Sequence, residues 1–476
     1  MQIPFRGSGI VYYSNKEYKC SLYYTEEGGG IVLQIKHHSE HGIGDFLEVP
    51  LEIEKLSGKL DSGYEFTLLE LNRGGMNDNI STGVTVYTYY AEFLLSGIKN
   101  TSTEGQTFSK VDFVLADIVE WGEESIYSIG ENYELKAKQE PVSKIIYEGE
   151  DYSIYYKVVG SFLPCVDYEL LKEEICLKQH GIIEIIFSRE KNFKEFVEVF
   201  DKLKRLFEIA LLRTVRVEKI YAFSNKIRDD YGDKSFERQI DIYGRSIKAI
   251  EEENIEQTRR FNWITLSDLI ENNSVATYLN KHEKLEPVID LYIELFYLKG
   301  NTGTRTFLNV VQALETYHSR FVTNDMKVFK QRIAALKQGL SSTNAEYVEK
   351  ILMANSNKFV TLESRLADLL YAEGNIYFDT GDIKQDDFPA VIARTRNYYI
   401  HYDENIKNKY KILTIDELNI YKNVLFQILE YYILYELGFS VENRSKKIRD
   451  RWGSVSNELQ ILKASRNKKS QVEDIM

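Results

Sequence analysis

The chain has 476 residues, of which 43% are apolar and 28% charged, and its net charge is -13. That length exceeds one ordinary core and implies two or three domains, with the composition of a soluble globular protein. Such acidity excludes a general nucleic-acid coat, because phosphate binding needs positive charge, which here must come from a local patch.

From residue 1 to about 190 the chain reads as strands. Ile10-Val11-Tyr12-Tyr13, Ile31-Val32-Leu33-Gln34-Ile35, Val84 to Tyr90, Ile154 to Val159 and Ile182 to Phe187 are rich in β-branched and aromatic residues. Turn signals at Gly28-Gly29-Gly30, Asp61-Ser62-Gly63, Arg73-Gly74-Gly75 and Ser96-Gly97 separate them, the rhythm of an antiparallel, sandwich-like β-fold. Phe193, Phe196, Val197, Phe200, Leu203, Phe207 and Leu211 predict a helix over about 191–213, and Val215 to Tyr221 predicts a further strand. A boundary is placed near 250. Beyond it the periodicity is helical: an apolar face over 285–298, a helix over 304–321 capped by Thr302 or Thr304, helices near 326–339, 344–355 and 358–373, a segment over 385–402, and a long helix from Asp416 to Leu437 stopped by Gly438. The fold class expected is therefore α+β and multidomain, a β-rich region over 1–250 followed by an all-α helical bundle over 251–440. A basic segment, 441–476, closes the chain. Within it, 444–469 carries nine Lys or Arg against two acids. A solvated tail is the favoured reading of that run and an RNA-attracting arm the other.

Three cysteines, never spaced as C-x-x-C, argue against a disulfide framework and for a reducing compartment. The segment Met1 to Arg6 lacks a charged-then-apolar leader pattern, and no apolar run approaches the roughly 20 residues that cross a bilayer. A cytoplasmic protein without membrane contact is expected. Gly28-Gly29-Gly30 does not open a helix in a G-x-G-x-x-G pattern and no P-loop is present, so no nucleotide cofactor is expected. His37, His38, Glu40 and His41 invite a zinc reading, but ligands so close together rarely close a tetrahedron, and a polar loop is the preferred account. No metal and no cofactor are assigned. His180, His282 and His318 are read as structural, with Glu315 as a partner for His318.

Arg394-Thr395-Arg396-Asn397-Tyr398-Tyr399-Ile400-His401-Tyr402 is the segment with chemistry in it. Histidine suits proton transfer near neutral pH, and arginine suits a phosphate through its planar fork of donors. RNA backbone cleavage needs both: a proton moved at the 2'-oxygen or the leaving 5'-oxygen, and charge stabilised on the phosphate. Asn397 and His401 share a helix face, whereas Arg396 and His401 lie roughly 140° apart around the helix. One helix does not converge that pair on one phosphate. Two helices packed about a two-fold axis do, so a homodimer is expected. Arg394, seven residues before His401, is a rival phosphate ligand on geometry alone.

The Arg396 to His401 segment resembles the R-x(4–6)-H signature of HEPN ribonucleases, including the polar residue after the arginine. Leu285 to Leu437 resembles the HEPN domain of ApeA-type bacterial antiphage proteins, with Val311 to His318 similar to that family's second conserved helix. The family also places a β-rich domain before the bundle. The resemblance implies a metal-independent endoribonuclease that leaves a 2',3'-cyclic phosphate or its hydrolysis product, uses a site shared across a dimer, and acts in abortive antiphage defence. It carries Arg396, Asn397 and His401 over as catalytic candidates, with Arg396 preferred to Arg394 because Asn follows it directly. Glu315 is a supporting polar contact. Arg394, Lys407 and the rings of Tyr398 and Tyr402 are candidates to bind RNA, the rings by stacking on unpaired bases, though at least one of the motif's tyrosines is expected to pack instead. Lys409 and Lys411 extend the basic patch. RNA is the expected partner, a phage-derived protein a possible trigger, and the β-rich domain the sensor. The alternative is an inert HEPN pairing module attached to a protein- or carbohydrate-binding β domain.

Overall fold

The computed structural model describes residues 6–14, 16–25, 30–38, 50–79, 83–98, 106–138, 140–161, 176–232, 234–244, 263–297, 303–322, 333–354, 361–370 and 388–452. The chain divides into two compact units, one of residues 1–201 with 215–260 and the other of residues 202–214 with 261–476.

The first unit is β-rich, as its alternating sequence implies. Strands β1 (Gly7–Tyr13), β2 (Lys16–Thr25), β3 (Gly30–His38), β4 (Glu52–Leu60), β5 (Glu65–Asn79) and β6 (Val84–Ser96) are joined by antiparallel pairs. β6 also pairs with β5, so the six strands close into a barrel with no free edge. Inward positions repeat with period two: Ile31, Leu33 and Ile35 on β3 and Tyr87, Tyr89 and Ala91 on β6 are all within 1% exposure. Closure brings backbones very close. A Cβ at Gly9 would meet the Lys59 carbonyl oxygen at 2.3 Å, and one at Gly58 would meet the Phe66 ring at 2.5 Å.

β6 is long enough to serve two sheets. Val84–Ala91 pairs with β3, while Phe93–Leu95 pairs with β16 (Ile240–Gly244). From there an open antiparallel sheet runs through β13 (Val217–Phe223), β7 (Thr107–Leu115), β12 (Gln179–Asn192), β11 (Tyr152–Gly160) and β10 (Val142–Glu148). One face carries the start of helix α2 (Phe193–Leu211), whose Phe200 stacks on Phe113 at 4.0 Å and whose Phe196 meets Phe187 edge-on at 4.7 Å. On the same sheet Asp112 of β7 stands directly opposite Glu184 of β12, and Lys157 and Lys110 reach Glu184 at 2.5 and 3.5 Å.

The second unit is helical: α3 (Leu266–Glu271), α4 (Ser274–Tyr297), α5 (Gly303–Phe321), α6 (Ser342–Ala354), α7 (Leu362–Leu370), α8 (Phe388–His401), α9 (Glu404–Lys409), α10 (Ile415–Glu436) and α11 (Val441–Trp452). α5 is central, packing against α4, α7, α8 and α10. One face of α5 is buried, through Phe307, Val310, Val311, Leu314, Tyr317 and His318. Its other face carries Gln312, Glu315, Thr316 and Ser319 at helical spacing. α10 starts on a capping box, in which Thr414 accepts from the Glu417 N–H and Glu417 from that of Thr414. It ends at Gly438, φ +91°, with the Phe439 N–H returned to the Leu434 carbonyl and the Gly438 N–H to that of Tyr435. The glycine stop read from the sequence is thus the real one.

The basic run differs from the solvated tail read from charge alone. Over 441–452 it is helix α11, docked through Arg444 over the rings of Tyr431 and Tyr435, Lys447 on Asp268, and Arg451 on Glu430 at 3.2 Å. The remainder of that segment lies outside the described residues, as do Glu40, His41, Gly28, Gly29 and the first half of the helix expected near 326–339. His37, at the end of β3, has its ring 5.9 Å from that of Tyr18.

Candidate active site

The motif lies on α8, which begins Phe388-Pro389; proline near a helix start loses no intrahelical hydrogen bond and presets φ. Ala390, Val391, Ile392 and Ala393 bury the first two turns. Thr395, fully buried, accepts the Leu413 N–H at 3.2 Å and ties α8 to the approach of α10. The helix therefore enters the core at its start and leaves it at its end, so Arg396 and Asn397 are half-buried while His401 is exposed.

The Arg396 guanidinium donates to Asn397 Oδ1 at 3.1 Å and reaches Glu315 Oε2 on α5 at 3.4 Å. Three residues nominated from sequence, Arg396, Asn397 and Glu315, thus meet in one cluster. His401, the last residue of α8, is not part of that hydrogen-bonded cluster. Tyr402 follows in the left-handed region, φ +51°, its N–H closing on the Tyr398 carbonyl. The rings of Tyr398, Tyr399 and Tyr402 contact one another with centroids 5.3 to 6.3 Å apart. Tyr399 is anchored by a hydrogen bond to the Leu413 carbonyl, while Tyr402 is 66% exposed.

The rest of the expected basic patch is partly neutralised. Lys411 pairs with Glu417 at 2.8 Å, and Lys407 lies 3.8 Å from Glu404 and 5.9 Å from the Tyr398 ring centre. Arg394 stacks over the Tyr410 ring at 4.6 Å. It is not among the residues lining the cavity described next.

An open cavity of about 390 Å³ lies beside Arg396, lined by Gln312, Glu315, Thr316, Ser319, Arg320 and Arg365 in addition to Arg396 itself. Arg365 and Arg320 carried no assignment in the sequence reading. The signal for Arg365 was present: it falls on the stripe with Leu366, Leu369 and Leu370 that α7 buries, and a charge on an apolar stripe is expensive without a purpose. His318 has a different partner from the one expected. Its Nε2 is 2.8 Å from Asp368 Oδ2 on α7, while Glu315 turns to Arg396. Burial lowers the His318 pKa, and Asp368 opposes that shift.

A β-barrel unit followed by a helical bundle with an Arg-x4-His segment late in the bundle defines a β-rich region joined to a HEPN-like domain. Two family models match in that order, ApeA N-terminal domain 1 over residues 8–280 and Apea-like HEPN over residues 308–443. The chain belongs to the ApeA-type HEPN antiphage proteins. HEPN domains of this kind are generally nucleases. No curated protein and no solved structure shows a significant match to the chain. Among the described residues no helix is long and apolar enough to cross a membrane.

Proposed function

We propose that this protein is a metal-independent endoribonuclease of abortive antiphage defence, cutting RNA through the ribose 2'-OH with Arg396, Asn397 and His401. The observation that carries the reading is the Arg396 cluster: a guanidinium fixed by Asn397 and Glu315 at the wall of an open cavity. In the reaction the 2'-oxygen loses its proton and attacks phosphorus. The bond to the 5'-oxygen breaks, and that oxygen takes up a proton, leaving a 2',3'-cyclic phosphate and a 5'-hydroxyl. Arg396 stabilises the charge that builds on the phosphate oxygens. The reaction calls for a base and an acid. His401 of one chain, exposed at a helix end, moves the proton at one of these two oxygens beside Arg396 of its partner about a two-fold axis, and water exchanges the proton at the other. The exposed Tyr402 ring, with Tyr398 behind it, offers a stacking surface for an unpaired base. The β-rich unit, which holds none of these groups, acts as the sensor that holds the nuclease to a basal rate in the cytoplasm until a phage-derived protein releases it.

The test compares wild type, Arg396→Ala and His401→Ala for RNA cleavage and for oligomeric state. Loss of cleavage with the dimer intact supports the assignment. Undiminished cleavage by both variants overturns it and leaves the bundle as a pairing module.

A further inference from the structure

We infer that the cavity beside Arg396 is a second phosphate-holding position, in which Arg365 and Arg320 grip an RNA backbone phosphate next to the one being cut. The inference rests on the ribonuclease reading of the Arg396 to His401 segment and names part of its substrate grip.

Charge and burial carry it. The cavity is lined by three guanidinium groups and one carboxylate, in a chain whose net charge is -13. Glu315 is already engaged with Arg396. Arg320 donates to the backbone carbonyls of Glu283 and Lys284, at 2.9 and 3.5 Å, and forms no carboxylate pair among the described residues. Arg365 is the more telling. It is 9% exposed, its hydrogen bond goes to the Glu315 carbonyl at a long 3.4 Å, and its Nε has no hydrogen-bond partner. Asp368, three residues on along α7, is taken by His318. A buried guanidinium is normally paired and hydrogen-bonded, because desolvating it otherwise costs a great deal. Here the missing partner is an anion, and a phosphate matches both the planar fork and the local charge. Gln312, Thr316 and Ser319 on the exposed face of α5 supply neutral donors around the same space. Arg365 and Arg320 are binding residues in this account, and the chemistry stays with Arg396 and His401.

The experiment has a kinetic and a binding arm, both on the full chain. The kinetic arm compares kcat/KM for a dinucleoside monophosphate, with one phosphate, and a trinucleoside diphosphate, with two. Arg365→Gln is expected to lower the preference for the longer substrate roughly tenfold through KM, Arg320→Gln to lower it less, and Arg365→Lys to restore part of it. The binding arm places the same substitutions in a His401→Ala background and titrates a labelled oligoribonucleotide against salt. Loss of one phosphate contact reduces the log–log slope by about 0.7. If wild type cuts RNA but neither preference nor slope changes in Arg365→Gln and Arg320→Gln, the subsite is wrong and the ribonuclease reading survives. If wild type does not cut but the slope falls, the reading of the motif fails and the phosphate position stands. Competition by inorganic phosphate that depends on Arg365, with both RNA readouts unmoved, would assign the cavity to a free anion and overturn the proposal. If Arg365→Gln fails to fold, Arg365→Lys and the exposed Arg320→Gln carry the same decision.

Discussion

Arg396 on α8 and Glu315 on α5 lie 3.4 Å apart, guanidinium to carboxylate, although 81 positions separate them in the chain. The pair is half-exposed, so its contribution to stability is small. Its consequence is orientation, because a guanidinium held between Asn397 and Glu315 has few rotamers left to sample. Glu315→Gln is therefore expected to leave the melting temperature nearly unchanged, to lower kcat for RNA by roughly tenfold and to leave KM unchanged or lower, since a negative charge leaves the phosphate site. Steady-state kinetics on a defined oligoribonucleotide decides it. A rise in KM at constant kcat would show that Glu315 serves binding instead.

If Arg396 of one chain works with His401 of its partner, mixing two dead variants restores a live site. Arg396→Ala and His401→Ala, refolded together at equal amounts, should recover roughly a quarter of wild-type cleavage, because half the dimers are mixed and each has one complete site. Complete inactivity of the mixture would place both groups in one chain.

The β-rich unit carries its own pH dependence. Burial, and next the Glu184 carboxylate opposite, push Asp112 from 3.8 up to about 7. The folded chain holds a proton that the unfolded chain releases, so this stabilisation is whole below pH 3.8 and is lost as pH rises toward 7. Thermal melts from pH 5 to pH 8 should show the first unit weakening, and Asp112→Asn should flatten that slope and raise the melting temperature at pH 8 relative to wild type. An unchanged slope in the variant would remove Asp112 as its cause.

One of the contacts that dock helix α11 on the bundle is to a buried carboxylate. Glu430, fully buried, accepts from the Tyr292 hydroxyl and the Trp452 indole, each at 2.6 Å, and pairs with Arg451; its pKa is raised by burial. Arg451→Met removes the compensating charge and is expected to cost about 3 kcal/mol. Glu430→Gln should cost less, because the amide keeps an acceptor without a charge to bury. Thermal denaturation of the two variants gives the order, and the reverse order would mean that Glu430 is already neutral in the folded chain.

Local pattern explains most of what was legible. Val84 to Tyr90 alternates, and β6 forms there; the segment read as 385–402 is α8 at 388–401; Gly438 ends α10 as its φ requires. What escaped was non-local. The barrel closes because β6 pairs with β5 as well as β3, and nothing in either strand's sequence announces which strands flank it. Arg365 and Arg320 join Arg396 from three helices, and spacing along the chain cannot show such a meeting. His318 shares a helix face with Glu315 three residues away, which makes that pair attractive, but the buried His318 ring goes to Asp368 while Glu315 goes to Arg396. The basic run was read from charge alone, and charge does not reveal that Arg444 rests on two tyrosine rings or that Arg451 answers a buried acid.

The most direct test of the central claim is cleavage of a short oligoribonucleotide by the full chain in excess EDTA, beside His401→Ala and beside the same substrate with a single 2'-deoxy substitution at the cut linkage. The account predicts cutting by wild type alone, 2',3'-cyclic phosphate and 5'-hydroxyl ends, and no cut at the deoxy linkage. Cleavage that EDTA abolishes, that His401→Ala retains, or that passes through the 2'-deoxy linkage would contradict it.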